Sequence, residues 1–228
     1  MLKRTVLILC ALALVSVAQA QVRIAPVVGF NFNQQIQKSN NISFEGVENT
    51  KLHMSLGAMG DILVTDFLSV QPELLYTFKG GAYEIEPSSV SENYNSNLGY
   101  LQMPICLTGK LKVNRGFLFA GAGPYVSRLV YTNYVLEQNY QNVDAGKLRV
   151  GKDYLRDQIT PWDYGLKFKV GFELDRGFYM GAFYDMGTKD INPQFTTTRN
   201  RTVGVQMGWS ISLSEEDRYE RFDNFYEF

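Results

Sequence analysis

Asp163-Tyr164-Gly165-Leu166-Lys167-Phe168-Lys169-Val170-Gly171-Phe172-Glu173-Leu174 decides the fold. Successive side chains of a β-strand point to opposite faces. Here Asp163, Gly165, Lys167, Lys169, Gly171 and Glu173 share one face, and Tyr164, Leu166, Phe168, Val170, Phe172 and Leu174 share the other. One side is charged or glycine and the other wholly apolar. Residues 200–213 repeat the pattern, with Thr202, Gly204, Gln206, Gly208, Ser210 and Ser212 opposite Val203, Val205, Met207, Trp209, Ile211 and Leu213. Working outward, the same period appears at 67–79, where Leu75 interrupts the polar side, and at 52–61 and 99–108. It is weaker at 22–33, 117–128 and 177–187. That makes eight strands, or ten if residues 129–160 conceal a hairpin such as Arg128 to Gln138.

The intervals between strands alternate. Leu63–Asp66, Lys110–Arg115 and Asp175–Gly177 are short, whereas 34–50, 80–97, 129–160 and 188–198 are long and rich in Asn, Ser, Glu and Pro. Short turns on one side and long loops on the other suit an all-β, antiparallel up-and-down transmembrane barrel with its turns in the periplasm. A soluble β-sandwich also gives eight alternating strands, but it does not explain the loop asymmetry. A soluble periplasmic, lipocalin-like carrier of apolar ligands would turn the apolar faces inward and the charges out. A small porin-like channel is a further alternative.

The first residues fit export. Lys3 and Arg4 precede an apolar run from Val6 to Val17, which ends at Ala18-Gln19-Ala20 in the small-x-small form of a signal peptidase site. The expected division is therefore a cleaved signal over 1–20, a barrel over 21–213 and an acidic aromatic tail over 214–228. Leu9 before Cys10 is too bulky for a lipoprotein site. Cleavage removes Lys3, Arg4 and Cys10 and leaves 228 − 20 = 208 residues, with 22 − 2 = 20 basic side chains against 23 acidic ones. Cys106 is then the lone cysteine, so no intramolecular disulfide forms. The near-neutral balance argues against nucleic acid, which selects strongly basic faces.

An eight-stranded barrel is just wide enough for its own side chains to fill it. The alternation sends Arg23, His53, Asp61, Glu73, Asp163, Lys167, Lys169, Glu173 and Asp185 into that lumen, where unpaired charges each cost several kcal/mol. They are expected to pair as a polar network. Tyr76, Phe78, Tyr164, Phe178, Tyr184 and Trp209 fall on the apolar faces and suit aromatic girdles at the lipid boundary.

No catalytic, cofactor or metal site is expected. His53 is the single histidine, which excludes a two-histidine metal helix. Ser55 shares its face, but neighbours along one strand diverge too far to pair as base and nucleophile. Gly146-Lys147-Leu148-Arg149-Val150-Gly151-Lys152 has the spacing of a phosphate loop, yet Asp153 stands where Ser or Thr is required. Cys106 faces inward as a small filler.

Several stretches together resemble the porin-like, PorT-type outer-membrane β-barrel proteins. They are Gln71-Pro72-Glu73-Leu74-Leu75-Tyr76 with Lys79-Gly80; Leu98-Gly99-Tyr100-Leu101-Gln102-Met103-Pro104; Gly121-Ala122-Gly123-Pro124-Tyr125; Asp163-Tyr164-Gly165-Leu166; and Asn200-Arg201. The resemblance implies an outer-membrane location and a small barrel, and it carries over no catalytic residue. Such barrels usually end on an aromatic residue closing the last strand; here that strand closes near Leu213 and 214–228 continue beyond it. The expected role is structural or surface-binding. The expected partners are outer-membrane lipid and an extracellular protein or glycan held through loop 129–160, with the barrel itself a monomer.

Overall fold

The computed structural model describes residues 22–38, 48–85, 92–138, 141–153, 155–192 and 197–213. The signal expected over 1–20, with Cys10, and the tail expected over 214–228 lie outside them. Eight strands form the wall: β1 (Val22–Lys38), β2 (Lys51–Thr65), β3 (Leu68–Lys79), β4 (Glu92–Val113), β5 (Gly116–Gln138), β6 (Trp162–Leu174), β7 (Phe178–Gly187) and β8 (Thr197–Trp209). Each pairs antiparallel with the next. β8 returns to β1 over Val27↔Gly208 to Lys38↔Thr197, closing the ring. Closure leaves no unpaired sheet edge, the condition for β-structure in hydrocarbon.

Three tight turns join β2 to β3 at Asp66-Phe67, β4 to β5 at Asn114-Arg115, and β6 to β7 at Asp175-Arg176-Gly177. Asn114 takes φ 31°, a left-handed conformation that asparagine tolerates better than most residues. Gly177 has φ 90°, and a Cβ there would stand 2.3 Å from the Ser210 carbonyl oxygen, so only glycine fits.

The long connections are more ordered than their composition suggests. β4 and β5 rise past the rest of the wall, and their extensions pair with Ala82–Ile85 and Gln141–Gly146 respectively. The stretch suspected of hiding a hairpin, Arg128 to Gln138, is the upper part of β5. It is the first arm of a hairpin completed by 141–146, standing above the ring without adding to it. The wall therefore has eight strands.

The facing agrees with the alternation throughout. Leu56, Leu74, Leu107, Val170 and Val203 are exposed on the outer surface, whereas Asp61, Glu73, Asp163 and Lys167 are buried inside. A carrier with an apolar interior requires the opposite, and this arrangement contradicts it. Outer aromatics gather at two levels. Near the turns, Phe178 packs against Phe172 (6.4 Å) and Trp209 (6.3 Å). Toward the loops, Phe78 meets Tyr76 (5.1 Å) and Tyr131 (6.4 Å). Trp162 and Phe172 lie ten positions apart on β6. At ~3.3 Å per residue and a tilt of roughly 40°, that is about 25 Å along the barrel axis, the height of a lipid-facing apolar band.

Candidate functional site

The lumen holds three groups of paired charges. Near the turns, Lys110 Nζ lies 2.7 Å from Asp61 and 2.6 Å from Glu173, and Arg23 approaches Glu173 at 3.2 Å. Gln71 donates to the remaining Asp61 oxygen (3.0 Å) and accepts from the Thr108 hydroxyl (3.0 Å). In the middle, Glu73 receives Lys169 (2.7 Å) and Lys167 (3.4 Å), while Lys167 also faces Asp185 (3.8 Å) and sits 4.0 Å above the Phe183 ring. Gln102 donates to Asp185 (2.8 Å) and accepts from Ser127 (3.1 Å). Toward the loops, Lys79 pairs with Asp163 (3.0 Å), which also accepts from Asn200 (3.0 Å). The Lys79 ammonium lies 4.5 Å from the centroid of Tyr125.

Among the described residues, the buried basic side chains are Arg23, Lys79, Lys110, Lys167 and Lys169, and the buried acidic ones are Asp61, Glu73, Asp163, Glu173 and Asp185. Five positive less five negative leaves no net charge (5 − 5 = 0). Buried pairs offset the large desolvation penalty only when geometry is good and further hydrogen bonds satisfy the leftover lone pairs. Gln71 meets that need at Asp61, whereas Gln102 and Asn200 bond Asp185 Oδ2 and Asp163 Oδ2 and leave the Oδ1 atoms of both without a hydrogen bond.

Of the residues expected in the lumen, Arg23, Asp61, Glu73, Asp163, Lys167, Lys169, Glu173 and Asp185 are buried, whereas His53 stands apart at the half-buried rim. Its ring nitrogens contact Asn33 (2.9 Å) and Asn97 (3.2 Å), and no carboxylate is among these contacts. Lys79 and Lys110 were missed. Their parity was legible, since 69, 71, 73, 77 and 79 form one face, as do 102, 106, 108 and 110. In sequence Lys79 ends the stretch 67–79 and Lys110 opens the short link Lys110–Arg115. Leu75, which interrupts the polar face, belongs to an apolar cluster inside the wall with Ala25, Val27, Met59, Phe119 and Tyr179. Cys106 is fully buried, as expected of a filler.

The loop-end mouth is covered. Ile159 and Ile191 pack with Leu98, Tyr100 and Leu129, and Leu148 leans against them. Backbone bonds hold this cover: Thr160 N–H to Ile191 O (2.8 Å), Ile191 N–H to Thr198 O (2.9 Å) and Leu129 N–H to Pro161 O (2.9 Å). In the glycine-containing stretch 146–152, Val150 bridges Ile159, and Asp153 accepts the Leu155 N–H (3.0 Å). The segment is part of the cover rather than a phosphate cradle, which would open a helix. Beyond the span, Tyr134 donates its hydroxyl to Asp144 (2.9 Å), which raises the phenol above its usual pKa. No group of three or more His, Cys, Asp or Glu suited to a metal occurs among the described residues.

Comparisons agree with this architecture. Of solved structures, the outer membrane protein OprG from Pseudomonas aeruginosa is similar with a TM-score of 0.50 at 10% identity, over 84% of this chain and 96% of that one. Ail, the attachment invasion locus protein of Yersinia pestis, solved in complex with the heparin analogue sucrose octasulfate, gives 0.39 at 9% identity over 84% and 99%. At 10% identity the likeness to OprG concerns the fold alone. No curated protein matches the chain. The family model described as outer membrane protein beta-barrel domain matches residues 17–192. The protein is accordingly located in the outer membrane, and the chain belongs to the outer membrane protein beta-barrel domain family.

Proposed function

We propose that this protein is a closed barrel whose work is done by its loops, which face the exterior and bind a protein or glycan there, while the short turns face the periplasm. The observation that carries this reading is the combination of a neutral, salt-bridged lumen with a hydrogen-bonded cover over its mouth. Such an interior favours rigidity over passage. The cover presents exposed apolar side chains outward, among them Val143, Val150 and Leu155, the last 73% exposed. Loops held on a rigid scaffold are where binding residues concentrate.

We read the chain as a monomer with no enzymatic activity. The single histidine is held by two asparagines and Ser55 is buried beside the wall, so neither is arranged as a base or a nucleophile. The PorT-type kinship suggested by Gly121–Tyr125 and Asn200-Arg201 is part of this proposal.

Two measurements on the protein in native membranes and planar bilayers test it. An epitope inserted between Ala145 and Lys147 should be reached by antibody on intact cells, and purified protein should give no steady single-channel current. An epitope reached only after permeabilisation overturns the orientation. A steady conductance overturns the closed lumen and supports a small channel.

A further inference from the structure

Two concavities on the outer surface of the wall lie one above the other on the same strands. The upper, about 550 Å³, is bordered by Val126, Trp162 and Tyr164 of β5 and β6 and by Lys152 and Lys189 from the covering loops. Arg128 adds a third cation, its guanidinium 5.7 Å from the centroid of the Trp162 ring. Asp190 also borders this recess, but its Oδ1 already accepts the backbone N–H groups of Asn192 (3.1 Å) and Thr198 (2.9 Å). The recess is thus basic, with an aromatic floor, at the level of the loop-side girdle.

The lower concavity, about 680 Å³, is an open apolar groove. Its cause is in the sequence. Ala120, Ala122 and Ala182 face outward, beside Phe168 and Val170. Register sets Ala122 beside Phe168, and Val170 between Ala120 and Ala182. Small residues flanking large ones leave a trough. Tyr164 and Phe168 are four positions apart on β6, so the trough begins about 13 Å below the basic recess along the strand. A charged head and an alkyl chain in a bilayer are displaced in this same direction and by a similar length.

We propose that this face of the barrel is a seat for a phosphorylated acyl lipid of the outer leaflet, with its phosphate between Lys152 and Lys189 and one chain in the alanine-lined groove. The placement in the outer leaflet rests on the loops facing the exterior; the seat itself does not. Cations near a membrane surface attract anionic headgroups, and an aromatic at the same depth suits the sugar or glycerol region.

The test uses full-length mature protein in nanodiscs of neutral phosphatidylcholine, which reads binding whichever way the barrel points in cells. Three probes are compared by native mass spectrometry: lipid A carrying its phosphates, the same lipid dephosphorylated, and the soluble phosphorylated disaccharide without chains. The phosphorylated lipid should be retained and the other two should not. Lys152→Glu with Lys189→Glu should weaken retention about tenfold or more, and Ala122→Leu or Ala182→Leu should weaken it by filling the groove. Unchanged heat-modifiable gel mobility shows that each variant is folded. Equal retention of the dephosphorylated lipid, binding of the soluble disaccharide as strong as that of the lipid, or unaltered retention in the folded variants overturns the proposal.

Discussion

Glu73 shows most clearly how single side chains bear on stability. It receives Lys169 and Lys167 and is fully buried, so its removal leaves Lys167 with Asp185 and takes away the carboxylate that Lys169 pairs with. Glu73→Gln should cost about 3–5 kcal/mol, the range for breaking a buried pair by deleting one partner. Urea unfolding in detergent followed by tryptophan emission would measure it. Adding Lys169→Met should recover part of the loss, because residues in one network are not additive. A double variant as weak as the sum of its parts would mean that Lys169 and Glu73 are not coupled. Glycines matter where walls approach closely. At Gly123 a Cβ would fall on the backbone of Ile105 in the neighbouring strand, so Gly123→Val should impair assembly, seen as loss of heat-modifiable mobility.

At the scale of the strand, period-2 alternation set the facing of every wall element, and Asp163–Leu174 alone was enough to tell a charged interior from an apolar exterior. What it did not reveal was how far β4 and β5 extend, since 92–97 reads Glu-Asn-Tyr-Asn-Ser-Asn and such a polar run shows no apolar alternation in sequence. Lys79 and Lys110 keep the alternation, but in sequence they stand at the border between a periodic stretch and a connection. The covering role of Ile159 and Ile191 was illegible for a different reason. Two isoleucines in polar loops carry no period, and only the closed ring brings them over one mouth. A depth-dependent prediction belongs here. Leu107 pairs with Ala122 near mid-belt, whereas Leu111 lies close to the Asn114 turn. Leu107→Arg should cost roughly 2–4 kcal/mol and Leu111→Arg about 0–1, by the same unfolding measurement. Equal costs would contradict the assigned depth.

Across the whole molecule, five acids and five bases among the described residues lie inside a ring just wide enough for its own side chains, and leucine, valine and phenylalanine lie outside. In water that arrangement would expose a continuous apolar surface; in a bilayer it is the stable one. The near-zero charge of the lumen follows from this, because an excess of either sign would go unpaired. The most direct test of that claim compares two adjacent positions in a Cys106→Ala background. With Leu166→Cys and Lys167→Cys in turn, a thiol probe confined to the hydrocarbon of the bilayer should label position 166 and leave 167 untouched. Labelling at 167 and not at 166 would mean that the faces are reversed and would contradict the account.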